Sequence, residues 1–326
     1  MFKVVTLSML YLLLGTINKA MAENVIVRLG NLKLVHYGAV SYMKEIAPKY
    51  GITIEERVFH KGIDIMPAIV AGEIDIAASA LEVAISARAR GVPIYAVAGF
   101  AKGGVRIIAR NDEKIKGIAS LKGKKIGVTR DTVQELLLLA ELSKVNLSWS
   151  EKPGKDVQLV YLSFANLNQA LENKEIDAMC QTEPQASQAI RRGFGREILK
   201  PYDTPVGIPV RSLVMTENLY NNQPAVAQKV LNIFVEATSK FIKQPSLAEN
   251  YVLTQMFGNK LSVEDFRLAN AHSPYTYNLT LDNVKTTTSL MQKYGTGRLD
   301  GQALPIAEEW VKLGLLQKAK RNLGIK

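Results

Sequence analysis

The residues best suited to chemistry in this chain are a helix start and a few isolated charges. Thr132-Val133-Gln134-Glu135 follows an extended segment ending at Thr129 and precedes the apolar run Leu136 to Ala140. That is the spacing of a capping box. A helix beginning there turns backbone N–H groups and the positive end of its dipole toward an anion. Arg130, two residues upstream, carries the planar fork that suits a carboxylate or sulfonate. Capping alone explains the same pattern, because Thr132 would consume one N–H and Asp131 would offset Arg130. Glu183, just before Pro184, offers a carboxylate to an amine or a heterocyclic N–H. The competing reading pairs it with Arg130 or Lys61. Tyr37 and Phe164 supply flat faces that either stack on a ligand or fill a core.

Other chemistries lack their residues. The 3 histidines, His36, His60 and His272, are isolated in sequence, which suits ordinary hydrogen bonding better than a metal site. No Gly-x-Ser-x-Gly or His-Glu-x-x-His occurs. The 1 cysteine, Cys180, closes a strand and reads as a small inert hydrophobe, with no intrachain disulfide possible. The expectation is no cofactor, no metal and no covalent catalysis.

These residues need elements to hold them, and the chain describes those elements twice. Ala68-Ile69-Val70-Ala71-Gly72-Glu73-Ile74-Asp75-Ile76-Ala77 aligns with Ala170-Leu171-Glu172-Asn173-Lys174-Glu175-Ile176-Asp177-Ala178-Met179. In the same register, Val58-Phe59 aligns with Val160-Tyr161. Each copy reads as strand, polar loop, helix, turn and strand, which a parallel sheet satisfies. Two such units predict two α/β lobes facing a shared crevice, where strand carboxyl ends and helix starts meet small ligands. The crevice candidates are Asn31, His36, Tyr37, Gly62, Ser79, Ala80 and Leu81 from the first unit. The second contributes Thr129, Arg130, Asp131, Thr132, Ser163, Phe164 and Glu183. Strands are expected over Val25–Gly30, Ile52–Phe59, Ile74–Ser79, Ile94–Ala98, Val105–Ala109 and Ser212–Thr216. A helix is expected from Tyr37 to Lys49, closed by Gly51. The stretch Gly99 to Gly104 and the Pro/Gly-rich stretch Thr204 to Pro209 read as two crossings between lobes, hence a hinge. Beyond Gln223 the pattern is mostly helical.

At 326 residues the chain accommodates two ordinary domains. Lys3, the apolar run Val4 to Leu14 and Ala20-Met21-Ala22 read as a secretory signal peptide covering residues 1–22, with no lipid-anchor cysteine beside it. The mature protein is therefore expected in the periplasm. The lobes are expected to be 23–101 with 208–326, and 102–207. Net charge is +11, with its densest basic stretch from Lys114 to Lys125. No nucleic-acid motif accompanies that charge, so it reads as a solvated turn and no nucleic-acid partner is expected.

Several segments together resemble a known family. They are the repeated Glu-Ile-Asp turn, Ser120-Leu121-Lys122-Gly123-Lys124-Lys125-Ile126-Gly127-Val128, Thr182-Glu183-Pro184, and the tail with Trp310 and Gly314-Leu315-Leu316. The chain resembles periplasmic solute-binding proteins of ABC importers, in the NMT1/SsuA-like group of sulfonate, taurine, nitrate and thiamine-pyrimidine binders. The resemblance implies the two-lobed type II periplasmic-binding-protein fold, a small-molecule ligand, and an ABC permease/ATPase complex as partner for a monomer. By position it implies Asn31, Ser79-Ala80, Arg130-Asp131-Thr132 and Glu183 as ligand contacts. Arg130-Asp131 stands where sulfonate binders carry a small Gly/Ser-rich loop, and Thr182 where they tend to carry tryptophan. The cysteine-rich motif of the pyrimidine-synthase relatives is absent. Three classes thus follow: capture and delivery of a small polar solute, ligand sensing for a membrane receptor, and an exported enzyme.

Overall fold

The computed structural model describes residues 25–299 and 301–325, so the expected signal peptide lies outside the described residues. Two mixed sheets carry the fold. The first contains β1 (Val25–Leu32), β2 (Ile52–Phe59), β3 (Ile76–Ala80), β4 (Ile94–Lys102) and β11 (Val210–Thr216), in the order β2-β1-β3-β11-β4. The second contains β5 (Val105–Arg110), β6 (Lys124–Val128), β7 (Trp149–Ser150), β8 (Val157–Tyr161), β9 (Ala178–Thr182) and β10 (Gly195–Leu199), in the order β10-β5-β9-β6-β8-β7. Within each, the repeated unit pairs in parallel: β1 with β2 and β3, and β6 with β8 and β9. Outside the repeat, β11 pairs antiparallel with β3 and β4, and β5 pairs antiparallel with both β9 and β10.

Helices cover both faces of each sheet, because the inner strands are apolar on both sides. On the first sheet, helix Pro224–Lys243 lays Val230, Leu231, Phe234 and Ala237 against Leu29, Ile52 and Phe100, while Ile85, Val284 and Trp310 fill the opposite face. On the second, helix Val133–Lys144 buries Leu137, Leu138 and Leu142 against Ile126 and Cys180. Each such leucine stabilises the fold by roughly 1.5–3 kcal/mol. Burial pushes the Cys180 thiol up, which keeps it protonated and unreactive.

Several details differ from the sequence reading. β1 runs on to Leu32, so Asn31 is a strand residue paired opposite Val58, not a loop residue. Gly30 looked like a strand end, but its missing side chain serves close packing: a Cβ there would lie 2.7 Å from Ile65 Cγ2. β4 likewise continues through Gly99 to Lys102, because β11 pairs with it up to Val210–Lys102. The first connection between sheets is thereby reduced to Gly103-Gly104, each with φ near +74°. The expected Tyr37–Lys49 helix is broken into short turns, Val35–Tyr37, Gly38–Ser41, Met43–Ile46 and Ala47–Tyr50, closed by left-handed Gly51.

Candidate functional site

Both connections between the sheets pass one place. Gly103 N–H donates to Pro209 O at 2.7 Å, Gly104 N–H to His272 O at 2.8 Å, and Glu183 N–H to Gly104 O at 3.2 Å. Tyr202, on the return connection, accepts Val105 N–H at 3.2 Å. Arg211, the second residue of β11, sits opposite Ala80 and extends Nη1 to Gly103 O at 2.7 Å. Its side chain is buried, and among the described residues it forms no ion pair.

Around this junction lie several of the expected residues. His36 and Tyr37 form the 3-10 turn after β1 and are buried, their rings 4.9 Å apart. Tyr37 meets Phe100 edge-on at 4.8 Å. Among the described residues His36 Nδ1 is buried without a hydrogen-bond partner. Burial, assisted by the Arg211 charge, holds the His36 pKa well below the ordinary imidazole value, so the ring is neutral. Burial raises the Tyr37 pKa. Ser79 is fully buried and bonds Ala80 O at 3.0 Å.

The helix Val133–Lys144 begins as expected: Thr132 Oγ1 accepts Glu135 N–H at 3.4 Å. The box does not close reciprocally. Glu135 takes Asp131 N–H at 2.6 Å and the Tyr161 hydroxyl at 2.5 Å instead. The free N–H at the helix start, that of Val133, donates 2.9 Å to Glu82 Oε1, a carboxylate from the first-sheet side. Glu82 is buried; burial raises its pKa, and the Arg211 charge offsets part of that rise. The place expected to receive an anion is therefore already occupied by a side-chain carboxyl group. Asp131 crosses in the opposite direction, accepting Arg298 Nε at 3.0 Å and Gly297 N–H at 3.1 Å. A third crossing joins Arg191 to Asp265 through two hydrogen bonds of 2.7 and 3.0 Å.

Other expected residues are engaged elsewhere. Arg130 pairs with Glu151 at 2.6 Å and lies 3.7 Å over the Tyr161 ring, partly exposed. Glu183 is fully buried but is held by Arg106 at 3.0 Å and by Ser187 N–H at 3.1 Å. Arg106 also bonds Ser187 Oγ and Glu197. Burial raises the Glu183 pKa against the Arg106 charge. Neither Arg130 nor Lys61 is its partner. Asn31 Nδ2 donates to Glu56 at 2.7 Å, in a network with Ser41 and Lys44, while its Oδ1 is buried and has no partner among the described residues. Thr129 Oγ1 donates to Leu162 O at 2.9 Å. Leu81 is core, packed with Ile85 and Leu136. Phe164 packs half-buried against Leu167 and Met179. Ser163 is exposed, and Gly62 opens a short exposed turn.

Two charged residues at the junction were missed, Glu82 and Arg211. Arg211 had a readable signal: a charge inside the apolar run Val210 to Met215, directly after the Pro/Gly-rich crossing. Among the described residues no cluster of metal-ligating side chains forms, and no helix is long and apolar enough to cross a membrane.

Comparison with known proteins bears on this arrangement. The chain is 23% identical over 308 residues to a putative ABC transporter periplasmic binding protein of Brachyspira hyodysenteriae, covering 88% of this chain and 87% of that one. It is 34% identical over 166 residues to a putative binding protein of Brucella abortus, covering 49% and 48%. Among solved structures, the aliphatic sulphonate binding protein SsuA of Escherichia coli superposes with a TM-score of 0.74 at 19% identity, covering 88% of this chain and 91% of that one. The nitrate-binding protein NrtA of Synechocystis gives 0.74 at 18%, covering 92% and 89%. A ligand-binding component of an ABC-type import system of Staphylococcus aureus, with zinc bound, gives 0.75 at 20%, covering 91% and 99%. These likenesses establish the fold as that of periplasmic binding proteins, and with residues 20–252 matched by the family profile, the chain belongs to the NMT1-like family.

Proposed function

We propose that the protein is the periplasmic substrate-binding component of an ABC importer, which captures a small polar organic solute between two lobes and hands it to a membrane permease. The lobes are 23–101 with 208–326, and 102–207. The observation that carries this is the junction itself: buried, incompletely paired polar groups of the first sheet lie where the two connections pass, with the start of the second-sheet helix Val133–Lys144 against them. A buried donor or acceptor without a partner costs about 1–3 kcal/mol. His36 Nδ1 and the spare edge of Arg211 regain that energy when a ligand supplies the missing partner.

Closure is the mechanical step. Gly103-Gly104 can rotate where residues with Cβ atoms would be strained, and the second connection bends between Leu199 and Val210. The cross-lobe contacts of Glu82, Asp131 and Asp265 then define a closed arrangement. Binding rests on dipoles, hydrogen bonds and charge, with no covalent step, so the protein is not an enzyme. A monomer suffices, because the site is complete within one chain.

The test combines two readouts on the mature chain. A ligand found by thermal-shift screening should shrink the radius of gyration in small-angle scattering, and the liganded protein should stimulate ATP hydrolysis by its permease complex in proteoliposomes. Binding without that stimulation would favour sensing over delivery. Hydrolysis or rearrangement of the bound solute would point to catalysis.

A further inference from the structure

Resting on the reading above, the junction offers one cation and one anion to a solute. Arg211 and Glu82 are both more than nine-tenths buried. They sit close together by construction: Arg211 is in register with Ala80, and Glu82 lies two residues beyond Ala80 in the helix Leu81–Ala89. They do not form an ion pair with one another. Arg211 spends one N–H on Gly103 O, and Glu82 spends Oε1 on Val133 N–H. A guanidinium buried without a carboxylate partner is costly, and the same holds for a carboxylate without a cation. The neighbouring His36 does not supply a second cation, since burial and the Arg211 charge hold its pKa well below the ordinary imidazole value, and burial raises that of Tyr37.

We propose that Arg211 receives the acid group of the solute and Glu82 receives an ammonium or N–H on the same molecule, so that the ligand is a small amino-bearing organic acid. The guanidinium fork fits a planar carboxylate or a sulfonate, and both are kept as one chemistry. Simple inorganic anions and plain organic acids leave Glu82 uncompensated. Plain amines leave Arg211 so. The pair therefore selects against each half of the ligand, as buried polar groups left without partners do.

Titration calorimetry on the mature chain with matched probes tests this: β-alanine and taurine against propionate, ethanesulfonate and ethylamine. At least one amino acid probe should bind, with its single-charge analogues at least about tenfold weaker; the carboxylate and sulfonate arms show which acid group Arg211 reads. Arg211→Met should abolish binding of the acid probes, and Arg211→Lys should recover part of it. Glu82→Gln keeps an acceptor for Val133 N–H and should bring β-alanine and propionate to within about twofold of each other. Propionate or ethylamine binding as tightly as β-alanine overturns the proposal. So does a Glu82→Gln variant that binds every acid probe more tightly, which would make Glu82 a resident competitor of the anion. Silence across all probes overturns it too. Native mass spectrometry of the protein incubated with a small-molecule extract then separates two failures. A bound adduct leaves capture standing without the two-charge ligand, and no adduct removes capture as well.

Discussion

The two repeated turns are alike where they build the sheets and unlike where the strands end. In the first, Asp75 accepts Arg28 N–H at 2.8 Å and returns its own N–H to Arg28 O at 2.9 Å. In the second, Asp177 does the same with Lys125, at 2.9 and 2.8 Å. Glu73 N–H closes on Ala68 O, and Glu175 N–H on Ala170 O. Even the close approach is repeated: a Cβ at Gly127 would lie 2.5 Å from Ile176, as one at Gly30 would crowd Ile65. At the far ends of β3 and β9 the likeness stops. The first end leads to Glu82, which reaches across to the other sheet; the second leads to Glu183, which turns inward to Arg106. Duplication supplied two equivalent frames, and the carboxylates at their mouths took different tasks.

The largest expected effect tests the inward end. Arg106→Ala removes the cation from fully buried Glu183 and should destabilise the protein by about 3–5 kcal/mol, read as a drop in the urea midpoint. Glu82→Gln should cost far less in the same assay. Equal losses would mean both ends are structural. The paired turns come next. Asp75→Ala and Asp177→Ala each lose charge-assisted hydrogen bonds to a strand start and should each cost about 2 kcal/mol. Lying on separate sheets, they should add in the double variant.

The shared frame was legible from the chain because a turn that ties a strand start needs specific residues at fixed spacing. Glu-Ile-Asp shows that need twice, and it placed β3, β9 and the mouths of both units. What each mouth does was not legible, because it depends on neighbours distant in sequence. Arg106 lies on β5, antiparallel to β9, and no local pattern announces that it will meet Glu183. Glu82 looked like an ordinary acidic residue in a first helical turn, and only the approach of Val133 makes it a bridge. Arg130 followed local logic correctly as a charge beside a helix start, yet the nearer acid Glu151 and the Tyr161 face claim it. His36 and Tyr37 could be placed beside the first-sheet strand ends from sequence because they lie in the turn just beyond β1.

The two connections between sheets differ as well. Gly103-Gly104 is held through its backbone, but the return connection is tied by a side chain, Asp203 to Lys144 at 2.5 Å, with Glu141 at 3.2 Å from the same ammonium. Burial first, and Asp203 second, push the Glu141 pKa from 4.5 up to about 7. A carboxyl raised in the folded state contributes stability that is full below pH 4.5 and lost as pH climbs through about 7. Glu141→Gln should flatten that decline in a series of melts and leave the variant more stable by about 1 kcal/mol at pH 8. An unchanged pH profile would show that this tie does not respond to protons.

The smallest expected effect is the most direct check on how the mouth of the second unit is used. If Arg130 were the anion receptor, Arg130→Ala would abolish binding of the acid probes while sparing the fold. Its observed contacts argue otherwise. The ion pair with Glu151 joins two substantially exposed side chains, and such pairs contribute about 0–1 kcal/mol. Stacking on Tyr161 adds a comparable amount at an exposed site, about 0.5–1 kcal/mol. Arg130→Ala should therefore lower the melting midpoint slightly, by about 0.5–1 kcal/mol of stability, and leave probe affinity within about twofold of the parent. Binding that vanished with Arg130 and survived loss of Arg211 would relocate the receptor from the sheet junction to the helix start. It would also make the Glu82–Val133 contact the feature that a ligand must displace.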